Sequence, residues 1–307
     1  MMPPGGREIH CMNVDIPAPA TVSEVIRYCA GALQQAQLFY GHGTDNAVDE
    51  AAALVLSAAG VTADSPGIAD LAFSPAARER LAGYLHRRIQ NREPAPYIIG
   101  EAWFCGLRFH VDRRVLIPRS PFAELIRNRF EPWRQPGPVR RILEIGTGSG
   151  CIAIAAALAF PDSEVLATDI SWPALQLACE NRAAHGLADR MHLVQANLLA
   201  GITGRFDLVL SNPPYVPAAE LADLPAEYAH EPGLALASGP DGLASARRIL
   251  QDAPALLAPQ GLLALEVGVG WPALEAAFPH LPFMWPEFGQ GGEGIALLTA
   301  AELGAVS

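Results

Sequence analysis

Lysine is absent from the chain: all 21 basic residues are arginine, a bias that carries no functional meaning by itself. Long apolar runs are absent too. None reaches the about 18 uncharged residues of a membrane-spanning helix. The longest candidate, Cys151 to Phe160, is short and lies mid-chain, so no membrane association is expected. The first twenty residues hold proline, glycine and acids but no positive-then-apolar pattern. Export is therefore not expected, and 1–20 reads as a disordered leader. No Cys-x-x-Cys pair occurs. Cys11, Cys29, Cys105, Cys151 and Cys179 are odd in number, widely spaced and without a histidine at zinc-finger distance. No metal site follows from them, and they read as reduced thiols of a cytoplasmic protein. The eight histidines are scattered and read as structural. No internal repeat is visible.

What the chain does have is core-forming material. Half of its 307 residues are hydrophobic and 17% are charged, a globular composition with room for two domains. The net charge of −11 argues against a generic nucleic-acid coat, but the charge is uneven. Residues 78–141 hold 14 Arg against 6 Asp/Glu, a balance of +8, which leaves −19 for the remainder. Such a segment is either a solvated face or a docking place for an anionic partner such as RNA.

One stretch organises the rest. Phe206 to Leu210 is a short apolar run suited to a buried strand, and Asn212-Pro213-Pro214-Tyr215 follows it. Two consecutive prolines remove ladder donors and fix φ, and the first holds Asn212 extended. In an open α/β sheet that carboxyl end is where ligands bind. Asn212 brings an amide and Pro213 a carbonyl, so two acceptors side by side suit a planar NH₂ group, with Tyr215 as an apolar wall. A plain Pro-Pro turn is the alternative. Average residue usage would produce this tetrapeptide in about one such chain in a thousand.

The remaining pattern divides the chain. Thr21 and Glu24 form a capping box for a helix through about Leu38, and Asp49 to Ala59 is a second helix closed by Gly60. Ser74-Pro75 opens a third, through about Asn91. These predict a small helical domain over 21–93. Tyr97 to Gly100 and Trp103 to Val111 read as a β-hairpin within a linking segment, 94–138, which ends in a proline-rich break. From 139 to 307 strands and helices alternate, the signature of a parallel sheet with crossover helices. Strands are expected at 140–145, 164–168, 191–195, 206–210 and 261–267, and helices at 150–160, 172–185 and 243–257. Phe283 to Glu287 and Ile295 to Thr299 fit a closing antiparallel hairpin.

Glu144-Ile145-Gly146-Thr147-Gly148-Ser149-Gly150 joins a strand to a helix, and its alternate glycines let backbone amides approach a ligand. The spacing is not the dinucleotide fingerprint, because Cys151 stands where a further glycine would fall. Asp169, about 20 residues on, ends the next strand, where an acid accepts from ribose hydroxyls or caps the following helix. Asn197 follows the third strand, where it meets an adenine edge or is an ordinary loop residue.

Glycine loop, acid and Asn-Pro-Pro-Tyr in this order resemble the class I S-adenosylmethionine-dependent methyltransferases that modify planar nitrogens. Within that group the chain is similar to the glutamine-amide methyltransferases. The similarity rests on Pro94 to Pro118, Glu144 to Gly150, Asn212 to Tyr215, and Glu231-Pro232 through Leu236-Ala237-Ser238-Gly239 to Asp241-Gly242-Leu243. Relatives acting on peptide release factors follow Ile-Pro-Arg with Pro-Glu-Thr-Glu, whereas this chain has Arg119-Ser120-Pro121. With Phe39 to Asn46 and Ala102 to Gly106, that resembles the branch methylating the third protein of the large ribosomal subunit.

The resemblance implies an α/β, Rossmann-like fold with a seven-stranded, mostly parallel sheet, a helical amino-terminal substrate-recognition domain and a linking hairpin. It implies S-adenosylmethionine bound by Glu144, Gly146, Thr147, Gly148, Ser149, Gly150, Asp169, Asn197, Leu198 and Asn212. Asn212, Pro213 and Tyr215 would carry catalysis, and Pro214 and Phe104 would complete the substrate site. The partner would be the ribosomal protein, free or in an assembly intermediate. Asn197 stands where the family commonly has Asp, which implies a small loss of cofactor affinity at most. Two other substrates stay open: a release-factor glutamine, and an exocyclic amine of a nucleic-acid base.

Overall fold

The computed structural model of the chain describes residues 16–289 and 291–304. Most of the expected leader and Cys11 lie outside them. The chain divides into two compact units between Ile99 and Gly100.

The first unit is helical. Helix α1 (Val22–Gln35) starts at a complete capping box, with Glu24 N donating to Thr21 Oγ1 and Thr21 N to Glu24 Oε2. Helix α2 (Ala47–Ala59) begins two residues earlier than the sequence suggested. Its cap is Asn46, whose side chain accepts from the amides of Val48 and Asp49, leaving Asp49 in the first turn, where a negative charge favours the helix dipole. Helix α3 (Pro75–Gln90) is capped by Ser74. Their apolar faces, with Val25, Leu33, Leu54, Leu81 and Leu85, form one core. At its edge Arg88 and Glu50 make a buried pair at 2.7 Å, and Arg88 also donates to the Phe39 carbonyl at 2.8 Å.

Tyr97 to Gly100 is not a strand. Ala95–Ile99 forms a short helix, α4, whose Ile98 joins the helical core. The apolar residues of this run satisfy helical spacing as well as strand alternation, an ambiguity that a short run does not resolve. The hairpin that opens the second unit lies wholly in the following residues: β1 (Glu101–Phe104) and β2 (Leu107–His110). Both turn residues, Cys105 at φ 56° and Gly106 at φ 77°, have the positive φ of the tight turn that matches strand twist. Asn181 anchors the ribbon. Its carbonyl accepts from His110 N at 2.8 Å, and its amide donates to the carbonyls of His110 and Ser149 at 3.0 and 2.9 Å.

The sheet follows: β3 (Arg141–Ile145), β4 (Glu164–Asp169), β5 (Met191–Gln195), β6 (Phe206–Ser211), β7 (Leu257–Glu266) and β8 (Ile295–Thr299). Their spatial order is β5-β4-β3-β6-β7-β8, all parallel except β8 against β7. The helices between them are α5 (Phe122–Arg127), α6 (Cys151–Ala159), α7 (Trp172–Ala184), α8 (Ala244–Asp252), α9 (Trp271–Ala277) and, closing the described chain, α10 (Ala300–Gly304). The expected helix 243–257 stops at Asp252, since Pro254 turns the chain into a short 3₁₀ segment before β7.

Among the described residues the sheet has six strands, not seven. The segment expected as the last partner contributes a single bridge, Met284 to Leu297. Pro282 and Pro286 flank Met284 and supply no ladder donors, so pairing cannot extend in either direction. Core residues on the α8 side, among them Leu143, Val209, Ile249, Leu263 and Leu298, are fully buried. This fixes the strand ends, and the site sits on them.

Candidate active site

The site grows from the carboxyl ends of β3, β4 and β6. At the end of β3 the amides of Gly146 and Thr147 both donate to the Thr168 carbonyl, each at 2.8 Å, which folds the glycine loop against β4. Glu144 lies beneath the loop, buried, where it accepts from Thr147 Oγ1 and, at 3.0 Å, from Ala153 N. Burial pushes its carboxyl up to about 8, against the two hydrogen bonds, and the neighbouring Asp169 adds to the rise.

Asp169 ends β4. Its carboxylate accepts from Gly148 N at 2.9 Å and from Ser171 N at 2.8 Å, while burial raises its pKa. Ser171 is the cap of α7, which leaves Asp169 facing the loop. Gly150 has a different task. It opens α6 at φ 82°, and a Cβ there would meet Ile154 Cδ1 at 3.3 Å and Ala178 Cβ at 3.4 Å, so it allows α6 and α7 to pack closely.

A cavity of about 250 Å³ lies over these strand ends. On one side it is lined by Glu144, Gly146, Thr147, Gly148, Ser149 and Asp169, with Asn197 and Leu198 beyond β5. On the other it is lined by Asn212, Pro213 and Pro214. Three residues singled out from the sequence do not line it: Gly150, Tyr215 and Phe104. Phe104 is buried in the hairpin. The Tyr215 ring packs so closely over Gly268 that a Cβ there would lie 2.9 Å from Tyr215 Cε2. Its hydroxyl is pushed up in pKa by burial, with Glu266 adding to the shift.

Sequence reasoning passed over one part of the wall. Arg119 and Ser120 line the cavity. The Arg119 guanidinium is held in a fork by Glu231, at 2.7 and 2.6 Å, and lies 5.2 Å from the centre of the Tyr228 ring. Glu231 also accepts from Ile117 N at 3.0 Å, which ties the Arg119 segment to the loop after β6. Ser120 donates to Glu266 at 2.5 Å. The available signal was the joint presence of Ile117-Pro118-Arg119 and Glu231-Pro232, whose pairing no linear pattern states. Among the described residues no group of three or more His, Cys, Asp or Glu side chains is placed to hold a metal ion, and no helix is long and apolar enough to cross a membrane.

A mostly parallel sheet, a glycine loop after its first strand and an acid at the end of the next define a class I methyltransferase. Residues 130–227 match the methyltransferase small domain family. The hMettl16 catalytic domain, solved with a MAT2A 3'UTR hairpin, shares the fold at a TM-score of 0.51, with 17% identity, 78% of this chain and 85% of that one covered.

The ribosomal protein uL3 glutamine methyltransferase of Bordetella pertussis is 46% identical over 92% of this chain and 96% of its own length. That of Neisseria meningitidis is 41% identical over 92% and 93%. The chain belongs to this family, the uL3 glutamine methyltransferases.

Proposed function

We propose that the chain transfers a methyl group from S-adenosylmethionine to the side-chain amide nitrogen of a glutamine in ribosomal protein uL3. The observation that carries this reading is the meeting of Asn212-Pro213 with Glu144 and Asp169 in one cavity. The site fits the cofactor by its donor set. Two buried acids whose pKa values burial raises ionise at least cost beside a cationic ligand, and the two arginines in the wall are already held, Arg114 by Asp112 and Arg119 by Glu231. Glu144 would hold the cationic methionine end, Asp169 the ribose hydroxyls, and Asn197 and Leu198 the base. When bound, the cofactor supplies an electrophilic methyl on a sulfonium.

An amide nitrogen is a poor nucleophile, because its lone pair is delocalised into the carbonyl. It needs placement more than a base. Asn212 Oδ1 and the Pro213 carbonyl would accept its two hydrogens and aim the nitrogen at the methyl. Orientation of this kind removes up to roughly 7–11 kcal/mol from a barrier. Acceptors facing hydrogens that grow acidic during attack help most in the transition state. The helical first unit would recognise the protein substrate, free or in an assembly intermediate, and the enzyme would act in the cytoplasm.

A nucleic-acid amine is the rival substrate. The arginines of 78–141 speak against it, since several serve the chain itself. Arg80 and Arg129 donate to the carbonyls of Ala58 and Ala159, Arg88 pairs with Glu50, and Arg134 donates to three carbonyls. The test is incubation of the purified protein with methyl-labelled S-adenosylmethionine and ribosomal particles from a strain lacking its gene. Label on one uL3 glutamine is the expected result. Label on RNA or on a release-factor glutamine overturns the substrate assignment.

A further inference from the structure

Asn212 serves the proposed reaction only if its amide is turned one way, with Oδ1 toward the cavity and the NH₂ away from it. A terminal amide is nearly symmetric in shape, so packing alone does not choose between the two orientations. A partner whose facing oxygen carries no proton, and so can only accept, does choose.

Such a partner stands on the neighbouring strand. The parallel register of β6 and β7 sets Ser211 opposite Leu265, so Asn212 and Glu266 follow side by side as the two strands end. Glu266 is 3% exposed, and the Asn212 side chain hydrogen-bonds to its carboxyl. The carboxyl is itself fixed, because Ser120 Oγ donates to Oε2 at 2.5 Å and accepts from Phe122 N at 3.1 Å. A buried carboxyl is costly, and a charge-neutral residue could fill the same volume. Burial pushes Glu266 up to about 8, while Ser120, the charge of Arg119 and Asn212 oppose the rise.

We infer that Glu266 is the positioning residue of this site: held by Ser120, it accepts from the Asn212 NH₂ and so presents Asn212 Oδ1 to the substrate amide. This rests on the glutamine-methylating reading above.

Turnover is measured on the particles described above, with cofactor affinity measured by calorimetry. Glu266→Ala is expected to lower kcat by about 10- to 100-fold, as loss of an outer-shell partner commonly does, with cofactor affinity unchanged. Glu266→Gln keeps one acceptor for Asn212 and offers an NH₂ to Ser120 Oγ, so it should recover most of that loss. The reciprocal exchange is the sharper test. Asn212→Asp faces one carboxylate with another and should lose turnover, and adding Glu266→Gln should restore part of it, because the new amide can donate to the aspartate.

A second readout needs neither cofactor nor turnover. The Asn212 side-chain NH₂ resonances, assigned by their loss in Asn212→Ala, should be well dispersed and slow to exchange in the parent and in Glu266→Gln. In Glu266→Ala they should collapse to solvent-like values. Parental kcat in Glu266→Ala, no rescue of Asn212→Asp by Glu266→Gln, or Asn212 resonances indifferent to Glu266 would each overturn the inference. A parent that methylates no glutamine would instead remove the proposed reaction, and the resonances would still decide whether Glu266 orients Asn212.

Discussion

Asn212 and Glu144 are two polar groups at the ends of adjacent strands, with opposite duties in the proposed reaction. In the proposed reaction Asn212 acts on the substrate, so Asn212→Ala should lower turnover by about 10²- to 10³-fold, the loss typical for one transition-state hydrogen-bond partner. Calorimetry should show cofactor affinity unchanged, and equal turnover in the variant would refute the scheme. Glu144 would act on the cofactor and bears on stability. Glu144 and Glu266 keep their protons in the folded chain up to about pH 8, against an ordinary carboxyl value of 4.5. Between those values the folded state binds more protons than the unfolded one, so stability declines as pH rises across the window. The melting temperature of the cofactor-free protein should therefore fall from pH 5 toward pH 8, and Glu144→Gln should flatten part of the slope. Cofactor should reverse the trend, since a cationic ligand favours the ionised carboxyl. A melting temperature that climbs with pH in the free protein would contradict the burial argument.

At the scale of elements, Asn181 shows what position in a helix can do. It sits in α7, 1% exposed, and satisfies two backbone groups of His110 and the carbonyl of Ser149 in the glycine loop. Asn181→Ala removes three hydrogen bonds and leaves buried groups unpaired. It should cost about 3 kcal/mol, at roughly 1 kcal/mol per bond, read as a lower urea midpoint with an accompanying loss of cofactor affinity. Nothing in the linear sequence marks this residue. The strand ends bearing Glu144, Asp169 and Asn212 were legible because each follows a short apolar run and precedes a glycine, serine or proline punctuation. The hairpin was displaced because Tyr97-Ile98-Ile99 fits either period. The seventh strand failed on two prolines whose effect depends on which neighbour needs a donor. Ser120 and Glu266, 146 positions apart and joined by one hydrogen bond, belong to a kind of contact that only the folded sheet creates.

For the whole molecule, the open question in the sequence was the arginine surplus of 78–141, and the fold gives it an internal use. Arg129 illustrates this. Its guanidinium donates twice to the Ala159 carbonyl and lies 5.4 Å from the centre of the Phe160 ring, with Arg134 at 5.7 Å from the same ring. Both therefore staple the segment before β3 to the end of α6. An arginine that neutralises phosphate contributes about one unit to the dependence of log affinity on log salt, whereas one engaged with a carbonyl and a ring contributes stability instead. Arg129→Ala should lower the melting temperature while leaving the salt slope for binding ribosomal particles as it is in the parent. If the slope instead falls by about one for this substitution, Arg129 faces RNA in the complex. The charge balance of the segment would then belong to the partner and not to the fold.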